Sequence, residues 1–532
     1  MRWFDRLSPS LMLVIIISVY LLIGVLYATF TPAWQAPDEP AHYNYVRYLA
    51  EKGRFPALHY GDYPHAYLEQ IKAAHFPPEL SIEPIRYEFW QPPLYYMLAT
   101  PIYRLFDGAL APLRLLSVVL GAGVVILAYA IALAIRPGDT TLALGAAAFV
   151  AFVPMHLTMM ASVNNDVLAE LLLATVALLL ILLVRTPIGQ GQASSRFSFL
   201  TLIGILLGLG LVTKATVYVA IPLALIALLL SERRPVPFAQ RALALFVPAL
   251  VIAIPWYIRN VAVYGWPDLL GVINHDAVVV GQLRAADYVS AVGWAAYLKD
   301  FLTTTFHSFW GQFGWMAVTM DRRIYLALSL LSAMMVAGFA LFVWRGEGWK
   351  TGRLEDWKAG SREHARQSTI SPNLPETQPS SHPTFQSLSL PAIQPSNYPA
   401  ILIALWLLLT SLVYLYYNIS LVQFQGRYLF PMLIPVGLLA ILGLREILST
   451  GWAWIAAGIC GVAIIIIIIS GALSGDMDKW GILIAGGAAL VLIVRRWLPT
   501  DLDGWMLAIP LVGLAGLSVY SLFVFIVPYL SP

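Results

Sequence analysis

Apolar runs close to the length that crosses about 30 Å of hydrocarbon recur along the whole chain. They predict membrane-spanning helices near residues 11-30, 114-135, 141-160, 167-184, 199-213, 216-230, 242-257, 324-344, 399-417, 429-444, 453-473, 480-494 and 505-527, thirteen in all. The first run is too long for a signal peptide and lacks a small-residue cleavage site, so it reads as a retained helix. Pro93 to Phe106 is apolar but short, is bounded by Arg104 and is interrupted by Pro101, which suits a helix lying in the interface. The expected fold class is all-α, a polytopic transmembrane helical bundle.

The distribution of Lys and Arg tests this register, because short cytoplasmic loops should hold them. With the N-terminus inside, the cytoplasmic side holds Arg2, Arg6, Arg136, Arg185, Arg196, Arg233, Arg234, Arg241, six between Arg345 and Arg366, Arg445, Arg495 and Arg496. The short outer loops hold only Lys214, Arg427 and Lys479. Loops 31-113 and 258-323 are long, and long loops translocate largely regardless of charge. Counting Pro93-Phe106 as a span would invert the bias. The expected organisation is a transmembrane module over 1-344 carrying both long extracytoplasmic loops, a flexible cytoplasmic linker over 345-398 and further transmembrane helices over 399-532. The linker turns from basic to Ser/Pro/Gln-rich, which buries too little apolar surface to order itself.

Composition agrees. Of 532 residues 59% are hydrophobic and 11% charged, against roughly a quarter charged in a soluble domain. The single cysteine, Cys460, excludes a disulfide framework and a cysteine-based metal site. A net charge of +3 without a stacked basic-aromatic patch gives no argument for nucleic acid.

Polar groups gather in loop 31-113, which holds nine of the 29 acidic residues and four of the nine histidines. It opens on Asp38-Glu39 directly after the first span. A helix is expected there, with Asp38 as its N-cap, Pro40 in the first turn and Gly53 at its end. On local pattern alone Asp38 is either that cap or a working carboxylate. His42 follows Asp38 at i, i+4, on the same face, where it would orient the carboxylate. Trp90, Gln91, Tyr95 and Tyr96 open the interfacial helix behind two prolines, as an aromatic belt or as substrate contacts. Asn164-Asn165-Asp166 begins the fourth span on the same side. Lys214, Arg259 and Arg427 lie at outer helix ends, where snorkelling and function compete as explanations. Three cations on one face favour an anionic ligand, and a guanidinium fork at Arg427 matches phosphate. Acids and cations on one outer face, open sideways to lipid, suit transfer of a group from a lipid phosphate.

The order of PDEPAHY (37-43), QPPLYY (91-96), the Arg114 helix start, NND (164-166), the Lys214 turn and QGRYLFP (425-431) resembles the polytopic glycosyltransferases of the GT-C superfamily. It is most similar to bacterial membrane proteins related to the protein mannosyltransferases and the lipid A aminoarabinose transferases. The resemblance covers roughly residues 10-445. It implies two helices lying along the membrane in the first outer loop, a catalytic acid after the first span, matched by Asp38 with Glu39 beside it, and a second acid matched by Asp166. The implied donor is a sugar on a polyprenyl phosphate and the acceptor a lipid, glycan or protein hydroxyl, at the cell membrane with the site extracytoplasmic. Arg427, Lys214 and Arg259 would bind the donor phosphate, and His42, Trp90, Gln91, Tyr95 and Tyr428 the substrates. Asp38 and Asp166 are candidate oxygen ligands for Mg²⁺ or Mn²⁺. The rival reading is a transporter or flippase of lipid-linked sugars, which would place charges deep within several spans.

Overall fold

The computed structural model describes residues 8–185, 193–232, 234–345, 397–449, 451–499 and 503–532. The linker expected at 345-398 lies outside them apart from its ends. Apart from the short antiparallel pair Gln312–Phe313 with Val318–Thr319, the elements among the described residues are helical.

Helix α1 (Pro9–Phe30) starts on a Ser8 cap whose hydroxyl accepts from Leu11 N, and it delivers the chain to the acidic loop. That loop folds as three helices, α2 (Glu39–Lys52), α3 (His65–Ala73) and α4 (Leu94–Leu105), where the family resemblance implied two. Helix α2 ends at Gly53 with φ 63°, the left-handed turn that glycine adopts freely. Helix α4 spans only 12 residues, too few to cross, so leaving it out of the spans is correct.

Helix α5 (Leu110–Ile135) returns to the opposite pole, and α6 (Thr140–Phe152) and α7 (Pro154–Met160) come back as one path bent by 68°. The bend falls at Pro154, whose ring removes a helical hydrogen bond. Helices α8 (Asp166–Arg185), α9 (Ala193–Leu211), α10 (Ala220–Ser231) and α11 (Pro235–Tyr264) alternate next. The second long loop contains α12 (Val272–Val278) and α13 (Ala285–Trp310), the latter kinked at Gly293. Helices α14 (Arg322–Trp344), α15 (Tyr398–Ser420), α16 (Leu433–Ile447), α17 (Ala453–Ser474), α18 (Lys479–Arg495) and α19 (Asp503–Ser521) complete the bundle.

Among the described residues nine helices are long and apolar enough to cross a membrane. All thirteen expected spans fall on helices, but four of them are less than a full span: the bent α6–α7 pair, the short apolar helices at Phe197–Leu211 and Ala215–Ser231, and the 17-residue α18. Helices α14 and α16 meet where a Cβ on Gly338 would lie 2.0 Å from the Gly443 carbonyl and one on Gly443 2.0 Å from that of Met335. Such contact between small residues lets helices pack by close approach where lipid supplies no hydrophobic drive.

Charged side chains separate into two poles. At one, Arg445 pairs with Asp139 at 2.8 Å and Arg345 with Glu446 at 2.5 Å, beside the Arg185 contact to the Ala134 carbonyl. At the other lies the acidic loop. The C-terminal turn closes on it, with Gln35 Nε2 donating to the Leu530 carbonyl at 3.0 Å.

Candidate active site

Asp38 occupies the N-cap position of α2 but caps nothing. Its backbone is left-handed (φ 67°) and its side chain makes no capping bond. A non-glycine residue there is strained by roughly 1 kcal/mol or more, so something outside the helix fixes it. The carboxylate accepts from the Tyr87 hydroxyl through Oδ1 at 2.7 Å and from Arg427 Nη2 through Oδ2 at 2.7 Å. The reading of Asp38 as a mere helix cap is therefore wrong. Burial pushes this carboxyl up, but the Arg427 guanidinium and the Tyr87 hydroxyl more than reverse that and hold it at about 2.

Arg427 sits in the tight turn Gly426–Met432, and its Nε donates to Gln425 Oε1 at 2.7 Å. Gly426 is required where α13 passes, because a Cβ there would lie 2.3 Å from the Thr305 carbonyl. Tyr428 joins the site, its ring 5.1 Å from the Arg427 guanidinium. A second ion pair lies in the same cluster: Lys214 Nζ to Asp166 Oδ1 at 2.8 Å. Asn164 Oδ1 caps the Asp166 backbone N–H, and Asn165 Nδ2 donates to the Thr213 carbonyl, tying α8 to the turn that carries Lys214.

Glu39, one residue along, has a different task. It is fully buried, and both oxygens accept from Arg114, Nε at 2.7 Å and Nη2 at 2.6 Å. It also accepts from the backbone N–H groups of Val163 and Trp34. Arg114 spends its remaining donors on the carbonyls of Ala28, Thr31 and Pro32. A carboxylate so saturated has no lone pair for a substrate proton, and Glu39 is removed from the catalytic set.

Three other expectations need correction. Arg259 leaves the phosphate set: it rests on Trp256 and Tyr264 and reaches the Pro56 carbonyl and Asn260 Oδ1. Tyr95 is fully buried with its hydroxyl on Ser117 Oγ at 3.0 Å, so it packs rather than binds. His42 does not orient Asp38 by hydrogen bond, since its Nδ1 meets the Tyr96 hydroxyl at 2.8 Å. Burial, helped by Lys214, lowers its imidazole to about 3, which keeps it neutral. Trp90 turns its ring to His275, 4.7 Å away. Gln91 stays with the cluster, its Oε1 accepting from Asn165 Nδ2 at 3.3 Å.

Sequence reasoning missed Tyr87 and Glu88. Glu88 is half-buried beside the Gln91 side chain, and its Oε2 is enclosed without a hydrogen-bond partner. Burial and the Asp38 charge push it up to about 7. The signal was an acid inside an aromatic stretch, which an aromatic belt does not require. Also missed was the His156–Glu170 pair at 3.1 Å in the interior.

Among the described residues no group of three His, Cys, Asp or Glu side chains is placed to hold a metal ion. Asp38 and Asp166 each face a cation instead.

A family model described as dolichyl-phosphate-mannose-protein mannosyltransferase matches residues 90–258. That stretch holds Gln91, Arg114, Asp166 and Lys214 but neither Asp38 nor Arg427. No curated protein matches the chain's sequence. Among solved structures, ArnT from Cupriavidus metallidurans in the apo state is similar at 16% identity and TM-score 0.52, covering 96% of this chain and 76% of that one. The same protein bound to undecaprenyl phosphate has 15% identity, the same coverage and TM-score 0.49. The oligosaccharyltransferase AglB from Archaeoglobus fulgidus, in complex with an inhibitory peptide and a dolichol-phosphate, has 12% identity and TM-score 0.46, covering 97% and 56%. The fold is that of the GT-C membrane glycosyltransferases. The family-model match covers about a third of the chain.

Proposed function

We propose that the chain is a glycosyltransferase that moves a sugar from a polyprenyl phosphate to an acceptor hydroxyl. The observation that carries the reading is the pairing, at one pole of the bundle, of two carboxylates with two cations, Asp38 with Arg427 and Asp166 with Lys214. The family-model match over 90–258 and the fold shared with GT-C glycosyltransferases support the same chemistry.

In this reading Arg427 and Lys214 receive the donor phosphate, the guanidinium by its fork and the ammonium as a point charge. A phosphate that takes over Arg427 relieves Asp38 of the charge holding its carboxyl near 2, and Asp38 becomes able to accept a proton. The acceptor oxygen attacks the anomeric carbon. The bond from that carbon to the phosphate oxygen breaks, its electron pair leaves on the polyprenyl phosphate, and the acceptor proton goes to Asp38. Asp166 holds Lys214 in place, and the two cations stabilise the leaving charge. The acceptor is a lipid, glycan or protein hydroxyl. Lys and Arg at the other pole support an extracytoplasmic site in the cell membrane.

The test supplies purified protein with undecaprenyl phosphate carrying glucose, mannose or arabinose and an acceptor mixture, and measures released undecaprenyl phosphate. Turnover is expected in the wild type and a fall of about 10²- to 10⁴-fold in Asp38→Asn. Equal turnover in both removes Asp38 from the mechanism. No turnover, with a labelled lipid-linked sugar crossing proteoliposomes, replaces the transferase by a flippase.

A further inference from the structure

Three carboxyl groups share the site, and two of them have cations. Glu88 forms no ion pair among the described residues: its Oε2 is enclosed with no hydrogen-bond partner, so a negative charge there would be met by the Gln91 amide alone. A buried, unpaired charge is costly and a buried acid avoids that cost by staying protonated. The groups that face it come from every neighbouring element: Asp38 at the start of α2, Tyr87 beside it in the chain, Gln91 and Tyr96 from the α4 entry, Asp166 from α8, Lys214 from the turn after α9, and Tyr417 from α15. Arg427 and Lys214, the two cations, are already matched by Asp38 and Asp166. A third ionised acid would repel the phosphate that these cations are there to receive. A neutral one would not.

A neutral carboxyl differs from the carboxylates around it in one chemical respect: it has an O–H to donate. The group best placed to accept that bond beside a bound phosphate is a hydroxyl of the sugar attached to it. We infer that Glu88, in its protonated form, is a specificity-determining residue that donates a hydrogen bond to a hydroxyl of the donor sugar. This rests on the lipid-phosphate reading above. Gln91 orients the carboxyl, since its Oε1 is held by Asn165 and its amide turns to Glu88; that contact alone favours ionisation, and burial with the Asp38 charge outweighs it.

The consequence is a division of labour between head and sugar. The cations recognise phosphate whatever it carries; Glu88 recognises that a sugar is present. Its contribution is present while Glu88 is protonated and is lost as pH rises through about 7.

Binding of undecaprenyl phosphate, with and without glucose, mannose or arabinose, is measured on detergent-solubilised full chain at pH 6 and pH 8.5. The wild type is expected to hold its preferred sugar-bearing lipid more tightly than the bare lipid at pH 6 and to lose that preference by pH 8.5. At pH 6 Glu88→Leu should bind bare undecaprenyl phosphate as the wild type does while losing about 5- to 50-fold in affinity for the sugar-bearing lipid. Glu88→Gln, whose amide still donates, should retain the preference at both pH values. A Glu88→Gln variant that behaves like Glu88→Leu means that the acid itself is needed, and overturns the inference. Unchanged sugar preference in Glu88→Leu also overturns it. Either result, obtained while the wild type turns over donor, leaves the glycosyltransferase reading standing. A wild type that neither binds undecaprenyl phosphate nor turns over donor removes both. Equal monodispersity and thermal midpoint across the variants separate these outcomes from misfolding.

Discussion

Asp38 and Glu39 are neighbours of the same chemistry with opposite employment. Asp38 is turned by its left-handed backbone into the cluster with Tyr87 and Arg427. Glu39 points back into the bundle, where Arg114 and two backbone N–H groups saturate it. Removing one partner of a buried ion pair leaves the other uncompensated, at about 3–5 kcal/mol. Glu39→Gln is therefore expected to lower the thermal unfolding midpoint in detergent by more than Asp38→Asn, whose carboxylate is partly exposed and whose loss should show chiefly in turnover. Equal midpoints for Glu39→Gln and wild type would deny the pair its structural role. At this scale the sequence exposed the acidic pair but not its division, since both residues read as helix-start acids. Glu88 was hidden for a related reason. Between Tyr87, Phe89 and Trp90 its surroundings pass for an interfacial belt, and only the fold brings it beside Asp38.

Among elements, the turn Gly426–Met432 holds its place in the site by a close approach. Helix α13 leaves no room for a side chain at Gly426, whose N–H donates to Ser308 Oγ at 2.7 Å. Gly426→Ala must push the turn away, an overpacking cost of about 1–3 kcal/mol, and moves Arg427 off its axis. The expected result is weaker binding of undecaprenyl phosphate, while Gly451→Ala, where a methyl meets open space, binds it normally. Equal affinity in the two variants would show that the turn tolerates the shift. Helix ends were also where sequence reasoning divided. Lys214 and Arg427 do share one cluster, because topology puts both at one pole although 389 residues separate Arg427 from Asp38. Arg259 was grouped with them on the same grounds and wrongly, since Trp256 and Tyr264 capture its guanidinium. A position at a helix end does not say which way a long side chain leans.

For the whole molecule, alternation of apolar runs and charge gave the bundle and its two poles, because burial in lipid constrains composition along every span. It did not give the bend at Pro154 or the helices of the second long loop, which depend on packing rather than hydropathy. In a Cys460→Ala background, an impermeant maleimide is expected to label Glu83→Cys, an exposed position in the acidic loop, on intact cells. Arg496→Cys, exposed after α18, should react only after permeabilisation. The reverse pattern would invert the proposed orientation.

The Arg114 hub joins the end of α1, the start of α2, the α7–α8 turn and the start of α5 through one guanidinium and one carboxylate. A loss-of-function screen would return Glu39 and Arg114 next to Asp38 and Arg427, with indistinguishable phenotypes. Only the first pair should respond to a second-site suppressor elsewhere in the bundle, because lost rigidity has many remedies and lost chemistry has few.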